Sequence, residues 1–251
     1  MGQKVNPLGF RVGVNRGWTS KWFAKDNKIY ANQLNKDLLI KKMLLKLLKE
    51  ALIARIEILR TNFKEIKIQI WCVRSGIVLG NSGKNLENIS LQIKKLLKNR
   101  NVKIKINVIE IKIPSFSADI IANSIARQIE NRVSFRSAQK FEIKKAKRAG
   151  ILGIKTLVSG RLNGVDMARS EGYLEGNLPL STLRNNIEYA LAIARTTYGA
   201  IGVKVWINKG ELLNNAKAED SLDKKSPPKK KFKKFYKKKV KTFKNASPKK
   251  N

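Results

Sequence analysis

The chain has 251 residues, with 54 lysines and arginines against 18 acids and a formal net charge of +36. Such a charge repels itself unless a polyanion neutralises it, so nucleic acid is the expected partner and an anionic membrane surface the alternative. Histidine is absent and Cys72 is the single cysteine, which excludes histidine-metal sites, Cys-His nucleophiles and disulfide frameworks.

Residues 1–19 read as an irregular basic arm, because Gly2, Pro7, Gly9 and Gly13 alternate with Lys4, Arg11 and Arg16. Trp18, Trp22, Phe23 and Tyr30 follow among lysines. They could stack on bases or anchor the arm onto the first domain.

The spacing predicts a helix from about residue 35 to 52, with Leu38, Leu39, Met43, Leu44, Leu47, Leu48 and Ala51 as its buried face. A wide apolar face followed by strand-like segments favours packing against a sheet over lying on a membrane. Those segments are 53–59 and 64–73, where Ile66, Ile68 and Ile70 alternate as a half-buried strand requires. Cys72, on the same strand, reads as a buried small hydrophobe. Next come a short apolar turn of helix, Arg74-Ser-Gly-Ile-Val-Leu-Gly-Asn-Ser-Gly-Lys84, a helix carrying Leu86, Ile89, Ile93, Leu96 and Leu97, and a strand from 102 to 111.

This order, strand, helical turn, Gly-x-x-Gly, helix, strand, is the layout of a KH domain, in which the glycine loop lets two helices clamp nucleotide backbone. Gly80 and Gly83 place no Cβ between the loop and a sugar-phosphate chain. The helix after them offers its first amides to phosphate. Arg74, Gly80, Asn81, Ser82, Gly83 and Lys84 are therefore candidate RNA-binding residues. A helix and strand ahead of the core correspond to the type II topology, one three-stranded sheet with helices over residues 20–113.

Pro114 marks a hinge, and residues 115–117 look like the entrance to a helix with Ala118, Ile121, Ala122, Ile125, Ile129 and Val133 as its stripe. Beyond it Arg132, Arg136, Lys140, Lys144 and Arg148 recur every four residues, with Lys145 and Lys147 beside them and Glu142 the only acid between. On a continuous helix these form one face that drifts about 40° per step. Phe135, Ala138, Phe141 and Ala149 supply buried positions. The face suits an RNA track. Residues 151–211 read as strands and turns: 153–161, a turn at 162–165, 167–175, 183–194, and 196–207 after a glycine-rich bend. Arg161, Arg169, Arg184 and Arg195 are candidates to grip phosphate. The expected fold class is α+β: the KH unit plus an α/β domain over 114–212, two helices packed on a mostly antiparallel sheet.

Residues 213–251 change character. From Lys224 onward there are no acids and about half the residues are lysine. Too little apolar surface is available to fold alone, so a tail disordered until bound is expected, with Phe232, Phe235, Tyr236 and Phe243 able to stack on exposed bases. No apolar run approaches roughly 18 residues and no signal-peptide pattern opens the chain, so a cytosolic, cofactor-free protein off the membrane is expected.

Met1-Gly-Gln-Lys-Val-Asn-Pro-x-Gly-Phe-Arg11, Arg74-x-Gly-Ile-Val-x-Gly-x-x-Gly83 and Val158-Ser-Gly-Arg-Leu-x-Gly164 together resemble the bacterial-type small-subunit ribosomal protein number three family. So do Ala168-Arg169, Glu171-x-Tyr173, Pro179-Leu-x-Thr-Leu-Arg184 and Thr196-Thr-Tyr-Gly-x-Ile-Gly-Val-Lys-Val-Trp-Ile207. The ordered set covers about residues 1–212 and leaves the tail outside. The resemblance implies a non-enzymatic protein of the small-subunit head that holds ribosomal RNA and lines the channel by which messenger RNA enters. It implies small-subunit proteins ten and fourteen as neighbours, with four and five around the channel mouth, in cytoplasmic rather than organellar ribosomes.

In that family a basic cluster on the second-domain helix contacts incoming messenger RNA. Carried over, it falls on Arg136, Ser137 and Lys140, with Arg132 upstream. Ser137 stands where the family has arginine, Asn81 and Ser82 where it has two lysines, Ser75 for a proline and Gly172 for an aromatic. A free KH-type RNA-binding regulator or processing factor is the alternative. An enzyme, such as a lysine-dependent lyase on damaged DNA, is a third reading with no single lysine or carboxylate to carry it.

Overall fold

Two sheets, each covered by helices on one face, organise the chain. The computed structural model describes residues 4–62, 65–80, 83–97 and 102–212. The tail expected at 213–251 lies outside the described residues, as do Asn81 and Ser82 of the glycine loop.

The first unit runs β1 (Ser20–Lys21), α1 (Asn27–Leu47), β2 (Ile53–Asn62), β3 (Glu65–Cys72), α2 (Ser75–Leu79), α3 (Lys84–Leu97) and β4 (Lys103–Glu110). Its sheet has the order β1-β2-β3-β4. β2 and β3 are antiparallel, while β4 lies parallel to β3. The expected three strands are all present, and β1 adds a two-residue edge, parallel to β2. Alternation along β3 sends Ile66, Ile68, Ile70 and Cys72 into the core, against Ile40, Leu44, Ile89 and Ile93 from the helices. Cys72 is fully buried and its thiol pKa is pushed up by burial, as an inert core residue requires.

α1 starts two turns earlier than the spacing predicts, and its buried face is narrower. Ile40, Leu44 and Leu48 point inward, whereas Leu38, Leu39 and Leu47 are each about half exposed. At about 100° per residue, Leu38 and Leu39 sit more than 100° round the helix from the Ile40–Leu44–Leu48 line. Asp37 takes a buried place instead and pairs with Arg60 of β2.

The second unit contains α4 (Ala118–Glu130), α5 (Phe135–Ala149), β5 (Gly153–Gly160), β6 (Arg169–Gly176), β7 (Asn185–Thr196) and β8 (Gly199–Glu211). The sheet order is β6-β5-β8-β7, with every neighbouring pair antiparallel. Ile121, Ile125, Ala138 and Ile143 of the helices pack onto Val158, Val203, Val205 and Ile207 of the sheet. Two expected core positions are exposed. Phe141 lies about 105° from the inward face set by Phe135, Ala138, Glu142 and Ala146, and is 61% exposed. Val133 falls past the end of α4, in the loop between the helices.

The arm docks on the second unit rather than the first. Arg11, at the end of a 3-10 turn over Gly9–Arg11, is 2% exposed. Its Nε donates to the Asn185 carbonyl at 2.9 Å, Nη1 to Pro7 at 3.1 Å, and Nη2 to Leu180 at 2.8 Å and Thr182 at 3.0 Å. The Asn15 side chain donates to the Leu183 carbonyl. Of the four aromatics near the arm, Trp22 and Tyr30 pair at 5.3 Å, while Trp18 and Phe23 stay largely exposed. The two units meet where α4 touches β2 and Arg127 donates from Nη2 to the Lys49 carbonyl.

Candidate nucleic-acid interface

The candidate residues fall into two groups, one on each unit. In the first, β3 ends at Cys72, Arg74 stands exposed at the start of α2, and its amide is held by the Ala51 carbonyl. α2 closes on Gly80, whose φ of 67° lies in the left-handed region that favours glycine. A Cβ there would meet the Asn85 side chain at 2.6 Å. That side chain donates from Nδ2 to the Ile77 carbonyl at 3.1 Å and so ties the first turn of α3 to α2. Gly83, at φ 80°, faces open space, and the exposed Lys84 opens α3 directly behind it. Among the described residues, Gly83 places no side chain over the first amides of α3.

The second group lies on α5 and the neighbouring edge strand β6. Arg136, Lys140, Lys144, Lys147 and Arg148 are exposed and lie within about 120° of helix face. Glu142, the one acid of α5, turns the other way. It is 2% exposed and accepts hydrogen bonds from Ser124 Oγ at 2.7 Å and Gln128 Nε2 at 3.0 Å, both on α4. Burying that carboxylate against α4 leaves the outer face of α5 with cations and no acid of its own.

β6 supplies what acid the surface has. Alternation places Arg169, Glu171, Tyr173 and Glu175 on one face of the strand, toward α5. Arg136 reaches both oxygens of Glu171, at 3.3 and 3.4 Å, and its guanidinium pKa is pushed up by those hydrogen bonds and that charge. Arg169 shares Glu171 at 3.2 Å, and Lys147 pairs with Glu175 at 3.4 Å. Lys140 Nζ sits 5.5 Å from the Tyr173 ring centroid. These exposed pairs hold the long side chains extended over β6 at small cost to their availability.

Three expectations change. Arg132 is not on the α5 face: with φ 63° it forms the left-handed turn between α4 and α5, so the four-residue recurrence begins at Arg136. Arg161 braces its own loop, donating to the Val165 and Tyr198 carbonyls and pairing with Asp166 at 3.0 Å. Arg11, counted among the basic residues of the arm, is interior. Glu171 and Tyr173 also shape the α5 surface, through Arg136 and Lys140. The alternating Arg-x-Glu-x-Tyr-x-Glu of 169–175 was the available signal.

Two family models match this chain: one described as "KH domain" over residues 39–116, the other as "Ribosomal protein S3, C-terminal domain" over residues 125–207. The small ribosomal subunit protein uS3 of Spiroplasma citri is 53% identical over 89% of this chain and 88% of its own. That of Mycoplasma capricolum is 52% identical over 88% and 94%, and that of Enterococcus faecalis 50% over 86% and 97%. The chain belongs to the uS3 family. It is thus a member of a family of small-subunit ribosomal proteins, not of enzymes. The KH match falls mainly on the first unit and the C-terminal match within the second, and the glycine bend and α5 lie inside the matched segments.

Proposed function

We propose that this uS3-family chain is a structural constituent of the small-subunit head, where it binds ribosomal RNA and lines the channel by which messenger RNA enters. The observation that carries this reading is the outer face of α5. Five exposed cations follow one another on it, and the only competing acid of the helix is buried against α4. Such a surface attracts phosphate without reading bases, which suits a message whose sequence changes continuously. The glycine bend between α2 and α3 is a second contact, suited to a fixed stretch of RNA backbone. Help in opening message structure comes from holding single strands on the cationic face while translocation supplies the work.

The neighbours on this reading are small-subunit proteins ten and fourteen in the head, with four and five around the channel mouth, in cytoplasmic ribosomes. Replacing Arg132, Arg136 and Lys140 with alanine should leave assembly intact but slow translation through a stable message hairpin. Equal elongation rates for variant and parent on structured and unstructured messages would refute the channel role. Because Arg132 sits in the turn, Arg136→Ala with Lys140→Ala should carry most of the effect.

A further inference from the structure

Two stretches from opposite ends of the described chain converge on one groove that neither group of candidate residues touches. The arm forms one wall with Lys4, Pro7 and Phe10, and the outer face of the second sheet forms the floor. The groove has a volume of about 630 Å³. Strand register sets the floor. Tyr189 of β7 and Lys155 of β5 both pair with Trp206 of β8, and Leu157 of β5 pairs with Lys204 one step along. All point away from the helices, because the alternating residues Ile154, Val205 and Ile207 are in the core. The Tyr189 and Trp206 rings lie 5.3 Å apart, and Lys155 Nζ is 5.5 Å from the Trp206 centroid.

The chemistry of this groove is one-sided. Its lining includes Lys4, Lys155 and Lys204 but, among the described residues, no carboxylate. By contrast, the groove between the two units carries Asp119 and Glu130 beside its cations. Half-buried aromatic faces framed by lysines are what an unpaired nucleotide recognises: the ring accepts a base by stacking and the ammonium groups take the flanking phosphates. The arm wall is rigid, since Arg11 binds the carbonyls of Pro7, Leu180 and Thr182 and so clamps arm to loop. We infer that the outer face of the second sheet is a separate binding site for unpaired RNA, with a base stacked on Trp206 and Tyr189 and phosphates held by Lys155 and Lys204. This inference rests on the reading of the chain as an RNA-binding ribosomal protein.

The test uses the full chain and a short oligouridine carrying one 4-thiouridine. Photocrosslinking followed by peptide mapping should place adducts on the peptides holding Tyr189 and Trp206, in addition to those on α5 or the glycine bend. Lys155→Ala with Lys204→Ala should remove the sheet adducts and lower the slope of log affinity against log salt by about 1.4, at about 0.7 per phosphate contact. Trp206→Phe should keep the adduct site and Trp206→Ala should weaken binding about tenfold, with circular dichroism showing that each variant is folded. Adducts confined to α5 and the glycine bend, with an unchanged salt slope in the double lysine variant, would overturn the inference and leave the proposed function standing. Absence of any adduct would overturn both.

Discussion

Arg11 shows how a single residue can be basic in composition and structural in role. A guanidinium placed among four carbonyls keeps its charge solvated by protein, even as burial pushes its pKa down. Truncation would orphan those carbonyls, so Arg11→Ala should destabilise the chain by about 2–4 kcal/mol. Arg11→Lys, a point charge without the fork, should recover only part of that in urea denaturation. Asp119, at the start of α4, is the other telling residue. Burial and the nearby Glu188 carboxylate raise its pKa from 3.8 to about 7, against the opposing pull of Arg16 and Lys209. Glu188 goes the other way: burial raises it, but Lys209 at 2.7 Å, Arg16 and the Ala118 amide hold it below the ordinary range. The fold therefore favours protonated Asp119. Its contribution is fully present below about pH 4, declines as pH rises, and is gone above about pH 7. Asp119→Asn should flatten that decline and raise stability at pH 8 by on the order of 1–2 kcal/mol, allowing for the water that reaches a half-buried carboxyl. A parent protein equally stable at pH 5 and pH 8 would show that the carboxyl is not perturbed.

At the scale of elements, the glycine bend and α5 depend on different physics. The bend depends on backbone conformation. Gly80→Asp and Gly83→Asp both force a side chain into the left-handed region; the first also drives it against Asn85, while the second has open space but sets a negative charge at the start of α3. Each should abolish RNA binding by the loop and cost about 1–2 kcal/mol locally, leaving the circular dichroism spectrum of the domain unchanged. α5 depends on where its one acid points. Glu142→Gln retains acceptor capacity for Ser124 and Gln128, so it should fold and leave the outer face as it was. A loss of RNA affinity in Glu142→Gln would mean that the buried carboxylate acts at long range.

For the whole molecule, the net charge of +36 makes binding steeply dependent on salt. A protein held only by that charge washes off its RNA as salt rises, whereas one also fixed by the glycine bend, the arm and protein neighbours stays. Native chain should sediment with the small subunit through a gradient at moderate salt and remain in stoichiometric amount at high salt. Recovery only in light fractions at both salts would indicate a free RNA-binding regulator.

The local patterns determined most of the architecture. Alternation at Ile66–Cys72, the Gly80–Gly83 spacing between helical turns, and the four-residue recurrence from Arg136 to Arg148 are nearest-neighbour properties, so they were legible without a partner in view. The second sheet was readable for the same reason, as strand-like segments separated by turns. What could not be read depended on contacts far apart in the chain. The spacing of leucines in α1 does not say which third of them the sheet covers, and Asp37 is buried only because Arg60 meets it. Arg11 looks like any arm cation until the carbonyls of residues 180–185 close around it. Glu142 breaks a cationic run in sequence, yet is removed from the surface by α4. Burial of charge is decided by the partner across the fold, and that partner is a tertiary fact.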